Sequence, residues 1–135
     1  MNSKSINQFF YFLISIFTFL AISCSDNNTK IIKQDERFTE YISAFTSGVI
    51  SNQSNIIIEL KEDLSNDDIS KIDASQLFDF SPKIEGEVSW INNRTVSFIP
   101  KTDLKTLQLY NAKFHLSKLF VVPSDMLDFE FQFQT

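Results

Sequence analysis

Beyond about residue 38 apolar and polar positions alternate with a period of two, and a single unbroken apolar run stands apart from them near the start. The alternation is clearest around the only tryptophan, in the run Glu87–Pro100. Val88 and Trp90 share one face of the first half, and Val96 and Phe98 share one face of the second. A two-residue turn at Asn92-Asn93 would set Trp90 opposite Thr95 and split the apolar set between two faces, which a half-buried sheet does not tolerate. A three-residue loop, Asn92-Asn93-Arg94, pairs Trp90 with Val96 and Val88 with Phe98, and asparagine accepts the left-handed backbone that such loops use. This second register is the expectation.

The same period predicts the other strands. Tyr41–Phe45 is a first strand, broken at Thr46-Ser47-Gly48, and Asn55–Leu60 turns Ile56, Ile58 and Leu60 inward. Lys61–Lys71 is polar and acidic and reads as a loop. Asp73–Leu77 reads as one helical turn capped by Asp73. Leu77–Pro82 is a short strand ended by its proline. Leu109–Ser117 alternates most cleanly, with Tyr110, Ala112, Phe114 and Leu116 on the dry face and Asn111, Lys113, His115 and Ser117 on the wet one. Phe129–Phe133 closes the set. About seven strands with turn signals between them predict an all-β fold, an immunoglobulin-like antiparallel β-sandwich. Tyr110, at the start of a strand just after a turn, has the position of a tyrosine corner, whose hydroxyl bonds back to the chain a few residues upstream. Trp90 is expected as a core anchor.

The apolar run Phe9–Ile22 is of another kind. Lys4 and the amino terminus precede it, and its length of ~14 residues suits an export signal while falling short of the ~20 needed to span a bilayer. Residues 1–23 are therefore expected as a signal peptide. Residues 24–37 are polar and without period and are expected as a flexible tether, reaching at most about 45 Å when extended. Residues 38–135 are the folded domain.

Composition narrows the chemistry. A net charge of −5 leaves no basic stripe to neutralise phosphates, which excludes nucleic acid as a partner. One cysteine and one histidine make neither an internal disulfide nor a structural zinc site. Chemistry would have to come from carboxylates, hydroxyls or the thiol of Cys24. His115 lies on a wet face and is expected to be a solvated surface histidine, too remote to activate that thiol. The acidic stretch Glu62-Asp63…Asp67-Asp68 has no glycine for the sharp turn of a calcium loop and is expected to be solvated. No carboxylate pair has the setting of a glycosidase. The expectation is that the protein is not an enzyme and carries no cofactor, metal or catalytic residue.

Leu20-Ala21-Ile22-Ser23-Cys24 resembles the lipobox of bacterial lipoproteins, with Ala21 where the pattern has leucine. The resemblance implies lipidation at Cys24, which becomes the first residue after cleavage. Ser25 follows it where inner-membrane lipoproteins carry aspartate, implying attachment to the outer membrane, on its periplasmic face or at the cell surface.

A second resemblance rests on Tyr41–Ser51, on Leu77–Gly86, on Trp90…Asn93-Arg94-Thr95-Val96-Ser97-Phe98-Ile99-Pro100, and on Tyr110…Leu116–Pro123. These residues resemble the first macroglobulin-like domain of bacterial alpha-2-macroglobulin-like lipoproteins, over residues 38–135. Such proteins are long, multidomain envelope proteins that trap proteases, many through a thioester in a Cys-Gly-Glu-Gln motif. The motif and a bait region are both missing from this sequence. The resemblance implies a lipid-anchored, non-catalytic N-terminal module, as a fragment or truncated product. Its partners would be the membrane, downstream macroglobulin domains and proteases. The other expectation is a stand-alone lipoprotein module that binds a surface glycan or a partner protein.

Overall fold

A period of two sends every second side chain to the same face of a strand, and in the folded chain two such faces meet. The computed structural model describes residues 32–135. They form eight strands, β1 (Ile42–Phe45), β2 (Gly48–Val49), β3 (Ile56–Leu60), β4 (Phe78–Ser81), β5 (Gly86–Asn92), β6 (Thr95–Pro100), β7 (Leu109–Phe114) and β8 (Phe129–Gln134), with one short helix, α1 (Asn66–Lys71). One sheet has the order β1-β3-β6-β5 and the other β2-β8-β7-β4. This is the ABED and CFG arrangement of a constant-type immunoglobulin sandwich, with β2 added beside the last strand.

The core is the set of inward faces. Ile56, Ile58 and Leu60 of β3 and Val96 of β6 are fully buried, and they meet Phe114 of β7 and Phe131 and Phe133 of β8. Phenylalanine bridges the two sheets: the rings of Phe80 and Phe98 lie 4.6 Å apart, and Phe45 sets its edge on Phe129 at 4.9 Å. Such tilted contacts add to the area each ring buries.

The β5–β6 hairpin keeps the expected register, with Val88 opposite Phe98 and Trp90 opposite Val96. The connection differs from the expected three-residue loop. Asn92 pairs with Thr95, so the turn is Asn93-Arg94, and a bulge at Ile91 restores the phase. One extra residue in a bulge reconciles a two-residue turn with a single apolar face. The Asn92 side chain holds the turn, its Oδ1 accepting from the backbone N of Arg94 at 3.0 Å and of Thr95 at 2.8 Å. Trp90, on the edge strand, is half-buried against the core.

Three further departures have local causes. Gly48, at φ 71, lets the chain leave β1 and cross to the other sheet, where β2 runs parallel to β8. Within the stretch expected to be a loop, Ser65 caps α1: its Oγ accepts from the backbone N of Asp68 at 3.1 Å and donates to the Asp68 carboxylate at 2.6 Å. At the other strand end, β7 stops at Phe114, and Leu116–Lys118 forms a 3-10 turn. The helical turn capped by Asp73 forms at Ala74–Gln76 as expected.

Candidate functional site

The densest set of ionisable side chains among the described residues lies on the outer face of the β2-β8-β7-β4 sheet. Register builds it. Lys113 of β7 stands opposite Asp79 of β4 on one side and Glu130 of β8 on the other. His115 follows just past the end of β7, and Asp128 just before β8 begins. The imidazole lies between two carboxylates, Nδ1 at 2.7 Å from Asp128 Oδ1 and Nε2 at 3.0 Å from Asp79 Oδ2. Lys113 Nζ reaches Asp128 at 3.4 Å and Glu130 at 3.5 Å.

His115 therefore departs from the solvated surface histidine expected of it. Its side chain is 23% exposed and both ring nitrogens are engaged. Both can donate at once only when the ring is the imidazolium cation. Burial alone would push the Asp128 carboxyl up, but the hydrogen bond and charge of His115, followed by Lys113, outweigh it and hold that carboxyl below its ordinary value. The Asp128 charge in turn raises Lys113 above the usual lysine value. In chemical terms the arrangement is a tie between β4, β7 and the lead-in to β8. A nucleophilic triad needs a hydroxyl or thiol at one ring nitrogen, and here carboxylates hold both.

Beside this network the N-terminal part of the domain is laid onto the sandwich. The stretch expected as tether is held from Ile32 onward. Ile32 N donates to Gln132 Oε1 at 3.3 Å, and Gln34 Nε2 donates to the Glu130 carbonyl at 2.9 Å. Arg37 spans Asp35 at 2.7 Å and Asp125 at 2.9 Å, and its guanidinium holds both carboxyls below the ordinary aspartate value. Phe38 sets its ring against Phe129 at 5.1 Å. An open groove of about 410 Å³ remains, lined by Gln34, Asp35, Phe38, Asp125, Leu127 and Glu130.

The other sequence-derived candidates fall elsewhere. Cys24, with the signal peptide expected over residues 1–23, lies outside the described residues. Asp67 and Asp68 sit in the first turn of α1, where negative charge suits the helix dipole. Among the described residues no group of three His, Cys, Asp or Glu side chains is placed to hold a metal ion, and no helix is long and apolar enough to cross a membrane. Tyr110 makes the expected corner, its hydroxyl accepting from Lys105 N at 3.1 Å while its ring stacks on Phe133 at 5.2 Å. Sequence reasoning missed the link between His115, Asp79 and Asp128. Its one legible sign was that Lys113 and His115 share the wet face of the Leu109–Ser117 strand.

No family model and no curated protein matches the chain. Among solved structures it is similar to L,D-transpeptidase 3 from Mycobacterium tuberculosis, at a TM-score of 0.53 and 10% identity, over 70% of this chain and 37% of that one. The same enzyme in complex with a faropenem-derived adduct matches at 0.52 and 12%, over 73% of this chain and 38% of that one. An L,D-transpeptidase from M. tuberculosis H37Rv matches at 0.52 and 12%, over 70% and 39%. The chain thus spans well under half of each. What is shared is the fold, a β-sandwich of immunoglobulin type.

Proposed function

We propose that the chain is a lipid-anchored, non-catalytic immunoglobulin-like module of the bacterial envelope, the first domain of an alpha-2-macroglobulin-like protein. It tethers and spaces what it is joined to. The observation that carries the reading is the sequence Leu20–Cys24, a lipobox-like pentapeptide at the end of an apolar export core and ahead of an all-β domain. Two things support the non-catalytic half. The one histidine has its ring nitrogens on carboxylates, and the buried aromatic residues are spent on the core. The macroglobulin half rests on the resemblance over residues 38–135, whose motifs run through β1, β4, the β5–β6 hairpin and β7.

Two measurements on the native bacterium test it. Cells fed a labelled fatty acid should incorporate label into the wild-type protein and none into Cys24→Ala; equal labelling of both removes the anchor. An antibody raised against residues 38–135 should detect a native product far larger than 15.6 kDa. A single band near that mass would instead favour a self-contained binding module.

A further inference from the structure

The outer face of the β2-β8-β7-β4 sheet changes character along its length, and register sets out its rows. Asp79, Lys113 and Glu130 form one row, and Ser81, Asn111 and Gln132 form the next. In the last row Val49 of β2 and Leu109 of β7 flank Gln134. The face thus passes from ions, through a hydroxyl and amides, to two aliphatic side chains at its rim. Leu109 is half-buried and Val49 is 80% exposed. Leu107, in the turn that leads into β7, is 88% exposed beside them. It stands at φ 56, left-handed backbone that glycine or asparagine adopts more easily than leucine. The turn is held around it: Thr135 Oγ1 donates to the Lys105 carbonyl at 2.6 Å, and Thr135 N donates to the Gln108 carbonyl at 3.1 Å. A single exposed apolar residue needs no explanation, but three on one rim, one of them on strained backbone, do.

The course of the chain names what meets this rim. Phe38 packs on Phe129, Gln34 Nε2 donates to the Glu130 carbonyl, and Ile32 N donates to Gln132 Oε1. Followed back from Phe38 to Ile32, the segment runs along β8 toward Gln134. At Ile32 it is held one row from the rim, two residues or about 7 Å along the strand. From Cys24 to Ile32 the chain extends at most about 28 Å, and a bilayer that holds Cys24 meets this end of the sandwich first. The charges are arranged to match. Glu62–Asp68, bonded through Leu64 N to the Asn93 carbonyl at 2.8 Å, lies at the turn of the β5–β6 hairpin, while Leu107 lies beyond its open end. The acidic stretch is therefore at the end away from the rim, and Lys105, two residues from Leu107, is exposed and suited to lipid phosphate. Aliphatic peaks with a lysine beside them fit the boundary between headgroups and acyl chains.

We infer that the rim formed by Val49, Leu107 and Leu109 rests on the membrane that holds the anchor, at the headgroup boundary, so that the sandwich stands with its acidic end away from the lipid. This rests on the lipidation of Cys24 proposed above. Because the sequence has one cysteine and the lipid occupies its sulfur, Leu107→Cys in the lipidated protein gives a single free thiol for a bimane label. Val49→Cys gives a second site on the rim. Val121→Cys is the control, on a residue that is 103% exposed in the connection between β7 and β8, at the opposite end. The three proteins are reconstituted into phosphatidylethanolamine and phosphatidylglycerol vesicles, with and without bromine atoms near the headgroup end of the acyl chains.

All three should float with the vesicles, and brominated lipid should cost the labels at positions 107 and 49 emission while leaving that at position 121 unchanged. Floating protein with no loss at positions 107 and 49, or with equal or greater loss at position 121, overturns the inference and leaves the anchor intact. If none of the proteins floats, the anchor itself fails and the inference with it. Labels at positions 107 and 49 that lipid bromine does not touch, yet are shielded from an aqueous quencher on native envelopes, assign the rim to a protein and overturn the inference as well.

Discussion

Tyr110→Phe isolates one hydrogen bond. The ring is 5% exposed and stacks on Phe133, and phenylalanine keeps both the buried area and the stacking. What disappears is the hydroxyl that accepts from Lys105 N at 3.1 Å. A net hydrogen bond is worth about 0.5–1.5 kcal/mol, and a stranded buried donor costs more. Lys105 is exposed, so water takes over part of the lost bond and the expected loss is about 1 kcal/mol. Tyr110→Ala also deletes the ring and should cost about 3–5 kcal/mol. Trp90 is the only tryptophan and is half-buried, so its fluorescence reports unfolding of the domain in urea. With a denaturant slope near 2 kcal/mol per molar, the Tyr110→Phe midpoint should fall by about 0.5 M, and Tm by about 4–8 °C. An unchanged midpoint would mean that the corner bond carries no net energy. A loss as large as that of Tyr110→Ala would mean that the ring depends on the hydroxyl for its place.

Other perturbations read other parts of the structure. Gly86 opens the edge strand β5, and a Cβ there would collide with the Ile99 carbonyl and come within 2.6 Å of the Phe98 ring. Gly86→Ala should therefore lower the urea midpoint by about 1–3 kcal/mol worth of stability, and a wild-type midpoint would show that the strand yields freely. Phe131 is fully buried between the sheets, and Phe131→Ala should cost about 3–5 kcal/mol, against about 5–15 for a whole domain; near-native stability would contradict the core described. The Asp128 carboxyl is held below its ordinary value in the folded state. Its contribution is accordingly present above the unfolded pKa of about 3.9 and is lost as pH falls through the lower folded value. The stability gap between wild type and Asp128→Asn, followed by urea midpoint against pH, should be widest near neutrality and close in acid; a gap that ignores pH would separate Asp128 from the charge network.

How much of this was legible follows from what kind of signal each feature leaves. The hairpin register could be read because only one phase keeps Val88, Trp90, Val96 and Phe98 together. The bulge at Ile91 could not, since it depends on the Asn92 carboxamide capping two backbone N–H groups, which polarity alone does not distinguish from a longer loop. Tyr110 was legible from its place after a turn. Helix α1 was hidden by its own polarity, although Ser65 followed three residues later by Asp68 is close to a capping box. The two-residue β2 is too short to show a period. Alternation put His115 on the right face, but its partners are 36 and 13 residues away, and pairing between strands so far apart is not written in either one. The hold on residues 32–38 was missed for a related reason: polar composition suggested a tether, while Gln34, Arg37 and Phe38 each find a partner that only the folded sandwich supplies.

The anchor carries the functional reading more than any feature of the sandwich, and the first residue of the mature protein decides it. The protein should be extracted from native membranes, digested, and its N-terminal peptide identified by mass spectrometry. The expected peptide begins at Cys24 with a thioether-linked diacylglycerol on the sulfur. A peptide that begins elsewhere, or one that carries Cys24 as a free thiol, would contradict the lipid-anchored module.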